Sequence, residues 1–298
     1  MSQEQRREGF NTLGPKEIRL VEILPGRFDN PLIAIIRVVD FQNEPQYEAL
    51  SYVWNPTDGT VENGTEHNLT FSIESTSNIT AHMRIGANLD AAMRHLRYEN
   101  TSRTMWIDAV SIHQEDTREK NHQVGFMGTI FSSAERVIIW LGPARKDSDF
   151  VMETISTGDL EKHDVSRFIG SLEDIIERDW FTRIWVAQEL ALARLDPLVY
   201  CGLRRINWLA FTFTVQLTQP QELDEWVDGF KLPQPLYLAS LIDKDRTRNI
   251  GFLKAIRVHW LAQIRQYSRE RSLAHILLST IFLRSTDPRD RVFGLLGI

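Results

Sequence analysis

Two carboxylates stand where a carboxylate needs a reason to be. Asp108 interrupts Thr104 to Val110, an apolar run rich in strand formers. An aspartate at the end of a buried strand costs free energy unless it finds donors or water. It can cap the next helix, the commoner outcome, or bind ligand hydroxyls at the sheet edge. Glu189 follows Trp185 by four residues, so on a helix the two share a face beside the apolar Ile184, Ala191 and Leu192. Beside apolar surface its pKa would rise and a ligand could reach it; alternatively it is a surface glutamate paired with Arg183 or Arg194. A third segment, Ser51-Tyr52-Val53-Trp54, ends an apolar strand in a hydroxyl, a phenol and an indole. Side chains alternate along a strand, so at most two of the three can face one crevice. Each segment, taken singly, is explained better by packing, capping or ion pairing.

Other chemistries lack their motifs. The sequence has no G-x-G-x-x-G, no phosphate-cradling G-x-x-x-x-G-K-[ST] and no G-x-S-x-G. Its 8 histidines never fall in H-x-x-x-H spacing and Cys201 is its one cysteine, so neither a disulfide nor a metal site is expected. His113 and His122 read as exposed histidines on a loop and a helix. With 34 Lys plus Arg against 40 Asp plus Glu, the net charge of -6 argues against binding a nucleic-acid backbone. No apolar run approaches a membrane span, and the polar start MSQEQRREGF has no secretory h-region. Four N-x-[ST] sequons, at Asn63, Asn68, Asn78 and Asn100, are then chance. A soluble, cytoplasmic protein without nucleic-acid or membrane contact is expected.

These side chains need a scaffold, and 298 residues with 42% hydrophobic and 25% charged residues can supply one. Ile18 to Ile23 and Leu32 to Val39 read as two strands around a Leu24-Pro25-Gly26 turn, and Tyr47 to Trp54 as a third. A short hairpin is expected around LTFSI. Leu89, Ala92, Met93 and Leu96 mark an amphipathic helix that Asn88 would cap. Glu115 to Ser133 reads as a helix, Arg136 to Gly142 as a buried strand, and 144 to 170 as a polar insertion. A helix follows from about Trp180 to Arg194, and helical periodicity dominates from Trp208 on, through DEWVDGF, FLKAIRVHWLAQI and SLAHILLSTIFL. Asp287 and Pro288 open a last short helix. The alternation implies an α/β parallel sheet with crossover helices. The expected division is an α/β domain with an N-terminal β extension over residues 1–200 and a mostly helical C-terminal part over 201–298.

Taken in order, ALSYVW, then WIDAVSIHQEDTREKNHQV leading into RVIIWLG, then RIWVAQEL resemble the HET (heterokaryon incompatibility) domain of filamentous fungi, from about Tyr47 to Leu190. The closing DPRDRVFGLLGI resembles the segment that follows such domains. The chain departs from the family pattern at Asn55, where a glycine is usual, and at Ser111 and His113, which replace a cysteine and an asparagine. The resemblance implies a part in fungal allorecognition and programmed cell death.

HET domains are in turn similar to TIR domains, whose strands end in S-Y and I-D and whose later helix carries W-x-x-x-E-L. Ser51-Tyr52, Ile107-Asp108 and Trp185 to Leu190 follow that order. The likeness implies a TIR-like, flavodoxin-like fold and, by way of the enzymatically active TIR domains, NAD+ cleavage at the nicotinamide–ribose bond with Glu189 as the catalytic group. Ser51, Tyr52, Trp54, Asp108, Arg183 and Trp185 are the expected substrate-binding residues, with Trp54 or Trp185 as an aromatic shelf and Arg183 on phosphate or in a structural ion pair. NAD+ or a related nucleotide would then be a substrate and no cofactor is implied. The alternatives are a non-catalytic signalling module that self-associates or recruits a recognition partner, and an inert fragment lacking a further C-terminal region.

Overall fold

The computed structural model describes residues 12–62, 64–74, 80–159, 164–218, 252–267, 276, 280, 283–285, 287–295 and 298. Its strands are β1 (Glu17–Ile23), β2 (Ile33–Asp40), β3 (Glu48–Ser51), β4 (Glu66–Ile73), β5 (Thr80–Gly86), β6 (Arg103–Trp106), β7 (Arg136–Trp140), β8 (Leu198–Cys201) and β9 (Arg204–Asn207). They form one sheet in the order β5-β4-β2-β1-β6-β3-β7-β8-β9. Adjacent β6, β3, β7 and β8 run parallel. The β1/β2, β1/β6, β4/β5 and β8/β9 pairs are antiparallel and β2/β4 is parallel, so the sheet is mixed around a parallel block. In that block the second strand in sequence precedes the first, then come the third and fourth. The connections therefore reverse direction between β3 and β7, the switch point beside which open α/β sheets bind ligands.

The parallel strands are nearly continuous apolar runs because both faces are covered, as in β7, where Val137 to Trp140 are all buried. One face packs Ala49, Trp106, Val137 and Ile139 against α3 (Thr117–Ser133), α4 (Ser148–Thr157), α5 (Val165–Ile176), α6 (Val186–Ala191), α7 (Trp208–Leu217) and the Phe252–Tyr267 helix. The other packs Leu50, Met105, Ile107, Ile138 and Trp140 against α1 (Ala87–Leu96). Even β1 has buried side chains on both faces, Leu20 on one and Val21 on the other, because the β1/β2 hairpin is inserted into the sheet beside β6. The hairpin around LTFSI forms as β4 and β5.

Several local expectations are corrected. Residues 144–170 are not a polar insertion: α4 and the start of α5 bury Val151, Met152, Phe168 and Ile169 in the main core. Their apolar residues recur at helical spacing inside an otherwise polar composition, which masks the stripe. Asn88 does not cap α1; Gly86 stands at the cap, and Asn88 donates to the Val53 carbonyl at 2.6 Å and accepts from the Trp140 indole at 2.9 Å. The helix expected over Trp180 to Arg194 is broken into a 3-10 turn (Asp179–Thr182), an extended Arg183, and the six-residue α6. The terminal helix starts at Asp290, three residues after Asp287, whose side chain accepts from the Arg289 amide. DEWVDGF and most of SLAHILLSTIFL lie outside the described residues. Among the described residues no helix is long and apolar enough to cross a membrane.

Candidate functional site

The C-terminal ends of the parallel strands lie along one edge of the sheet, and β3 and β6 deliver Ser51, Tyr52 and Asp108 to it. Alternation along β3 decides which side each serves. Ser51, like Ala49, points to the face covered by α6; Tyr52, like Leu50, points to the α1 face.

On the first side, the Ser51 hydroxyl donates to Glu189 Oε2 and accepts from the Trp180 indole at 2.8 Å. Glu189 is only 4% exposed. Burial pushes its carboxyl above its ordinary value; Arg183 and the Ser51 hydroxyl pull it back, and Asp108 pushes it further up. The alternative of a surface glutamate paired with Arg194 is not realised, since Arg194 is exposed and Glu189 is not. Trp180 has no role in the sequence reading. A tryptophan in WFTRIW looks like one more core aromatic, and its N–H would need the broken helix to be foreseen.

On the second side, Asp108 collects donors. The Trp54 indole donates at 2.9 Å and the Ala109 amide at 2.7 Å, and the Tyr52 hydroxyl hydrogen-bonds it as well. Burial still raises its pKa, against the opposing effects of Arg183 and of these donors. Burial and the Asp108 charge hold Tyr52 well above the ordinary phenol value, so it stays protonated and donates. Asp108 is also the first residue of the four-residue helix α2 (Asp108–Ser111), and its backbone carbonyl accepts from Gln114 Nε2 at 2.9 Å.

Arg183 joins the two sides. One terminal nitrogen donates to the Tyr52 carbonyl, and its charge acts on Asp108, Glu189 and Tyr52 together. One guanidinium thus serves two carboxylates, leaving the cluster short by one positive charge. Such a site can bind ligand hydroxyls and stabilise positive charge developing on a ligand. Six of the seven expected site residues converge here; Trp185 instead stands at the cap of α6 and packs half-buried against the main core.

A loop after Trp54 is latched beside the site. Thr57 donates through its amide and its hydroxyl to Asp179 Oδ2, Asp58 Oδ2 accepts from the Asp179 amide at 2.8 Å, and Arg145 donates to the Asp58 carbonyl. The attachment of this loop to the turn preceding Arg183 could not be read from the sequence. His113, Asp116 and Glu119 also bring three ligand-type atoms within 4.8 Å of one another. Glu119 is already committed to Arg19, and Asp116 caps α3 through the Arg118 and Glu119 amides, so this donor set is occupied by the protein itself.

A half-buried Asp108 just beyond β6 and a buried Glu189 on α6, both beside one arginine, define an α/β domain with a polar site at its sheet edge. Residues 47–189 match the family model described as Heterokaryon incompatibility protein (HET). The match covers just under half of the chain, and all seven expected site residues fall within it. The chain is similar to Heterokaryon incompatibility protein 6, OR allele, of Neurospora crassa, with 28% identity over 336 aligned positions covering 94% of this chain and 47% of the relative. The chain thus spans about half the length of that curated relative. No solved structure matches.

Proposed function

We propose that this chain acts in fungal heterokaryon incompatibility, as a TIR-like effector that cleaves NAD+ at the nicotinamide–ribose bond and so drives cell death. The HET match and the Neurospora relative support the biological role. The observation that carries the chemistry is the under-neutralised pair Asp108 and Glu189 flanking the end of β3. In the reaction the C1′–N bond breaks and its electron pair passes to the pyridinium nitrogen, so nicotinamide leaves neutral and needs no acid. C1′ acquires oxocarbenium character, which a carboxylate at the ribose stabilises. Water then adds at C1′ and loses its proton. Glu189 is assigned the ribose, with Ser51 and Trp180 fixing its orientation; Asp108 accepts a second ribose or carboxamide donor, and Trp54, 39% exposed, offers the ring that a base can stack on.

The test is nicotinamide release from NAD+ by purified protein at high concentration. Wild type should release it, and Glu189→Gln, which keeps an acceptor for Ser51, should lose about 10²- to 10³-fold in rate. A wild type that leaves NAD+ intact removes the enzymatic role. One observation favours a non-catalytic signalling module instead: Glu189 is nearly sealed in this structure. In that case Glu189→Gln leaves both self-association and toxicity in fungal cells unchanged.

A further inference from the structure

Arg183 is met by a cation from the far end of the chain. The Ile184 amide donates to the Arg284 carbonyl at 2.9 Å and the Arg284 amide donates to the Thr182 carbonyl at 2.5 Å, which makes Arg183 and Arg284 partners in a parallel bridge. Residues paired directly across such a bridge project to the same face. The exposed Arg284 side chain therefore leaves the backbone on the same side as that of Arg183. A third guanidinium, Arg257 of the Phe252–Tyr267 helix, lies near Arg284: burial lowers its pKa, and the Arg284 charge lowers it further. Its buried Nε has no acceptor among the described residues.

Several other arginines have strong acceptors, although the Nε atoms of Arg97, Arg145 and Arg178, like that of Arg257, have none among the described residues. Arg19 and Arg103 pair with Glu119 and Glu48, and Arg265 donates to the carbonyls of Leu190, Ala193 and Leu195. Arg257 and Arg284 have no carboxylate partner among the described residues, although they repel each other. Guanidinium groups held close together repel, and an anion with several acceptor oxygens that bridges them relieves that repulsion.

We propose that Arg183, Arg257 and Arg284 form an anion subsite that takes a diphosphate, at the rim of the site that holds Asp108 and Glu189. That a diphosphate binds follows from the arginines alone. That it belongs to a dinucleotide, with its pyridinium ribose at the carboxylates, rests on the function proposed above. The whole site is then bipolar: Asp108 beyond β6 and Glu189 on α6 accept the cationic end of the ligand, and arginines on the bridged segment and its neighbouring helix accept the anionic middle.

Inorganic pyrophosphate is the probe, titrated by calorimetry into the full 298-residue chain. Saturable binding is expected, weakening as salt is raised. Arg284→Gln and Arg257→Gln should each weaken it about tenfold, the scale of one charge-assisted contact to phosphate. Arg204→Gln, which removes a guanidinium paired with Glu153, should leave it unchanged. Because Arg284 is exposed, its variant is the one least able to fail by misfolding. Absence of saturable binding, or equal affinity in Arg284→Gln, overturns the subsite. Arginine-dependent pyrophosphate binding by a chain that releases no nicotinamide keeps the subsite and removes the NAD+ role. Nicotinamide release with an unchanged KM in Arg284→Gln does the reverse.

Discussion

Two buried clusters of charge in this molecule are built on opposite rules. Between β1 and α3, Arg19 grips Glu119 with both terminal nitrogens, at 2.5 and 3.0 Å, and the His113 amide adds a third donor at 2.7 Å. Burial alone would raise the Glu119 carboxyl, but the Arg19 hydrogen bonds, the His113 amide and the Arg19 charge together hold it below its ordinary value. At the edge of the sheet, Asp108 and Glu189 share the single Arg183, and both are raised. The first cluster is a closed ion pair whose donors and acceptors match. The second leaves charge uncompensated, and a protein keeps such a site only against a cost in stability. On the proposed function, that difference separates a structural carboxylate from one held ready for a ligand.

The sharpest way to break the comparison is to remove one member of the closed pair. Glu119→Ala leaves Arg19 buried with the Ser111 carbonyl at 3.2 Å as the acceptor shown for it beyond the lost carboxylate. The expected cost is about 3–5 kcal/mol, read from urea unfolding, because the penalty falls on the orphaned charge. A cost under about 1 kcal/mol would mean that water reaches Arg19 and that the two clusters are less different than their geometry says.

A smaller effect tests what holds the open cluster in place. Arg265 donates to the carbonyls of Leu190, Ala193 and Leu195, which closes the C-terminal end of the helix that carries Glu189. Replacing it with Met should cost roughly 1–3 kcal/mol. Hydrogen exchange at Val186–Ala191 should quicken more than at the β1/β2 hairpin. Uniform acceleration over both regions would show that Arg265 supports the fold at large and not α6 in particular.

The sequence brought the candidate residues together better than it placed the elements around them. Ser51, Tyr52 and Asp108 could be placed at one edge because strand ends are marked by a change from apolar to polar residues. Glu189 could be placed beside apolar surface from its neighbours alone. The break at Arg183 could not be seen, because it is imposed by hydrogen bonds to Arg284, far along the chain. Strands β8 and β9 went unrecognised for a different reason. Each is four residues long, and they turn at Gly202, where φ is +56° and a Cβ would come within 2.7 Å of Ala144. Short strands carry too few residues for alternation to register, so only the tertiary contact reveals them.

The smallest predicted effect is the one that most directly separates the two clusters, because its sign reverses between them. Glu189 has a folded-state pKa above its unfolded value, so from the ordinary carboxylate range upward the folded chain keeps more protons bound than the unfolded chain does. Stability from this group is therefore lost on going from acid to neutral pH. Glu119 has a lowered folded-state pKa, so its contribution grows over the same interval and is lost as pH falls through that lowered value. Glu189→Gln should accordingly match wild type in acid and exceed it by about 1 kcal/mol at pH 7, while Glu119→Gln should fall furthest below wild type at neutral pH. Denaturant unfolding of the three proteins across pH 4 to 8 measures both slopes. If Glu189→Gln is destabilised at pH 7 as Glu119→Gln is, then Ser51 and Arg183 compensate Glu189 fully. The carboxylate would then be part of the scaffold, and its shortage of counter-charge could no longer be taken as the mark of a ligand site.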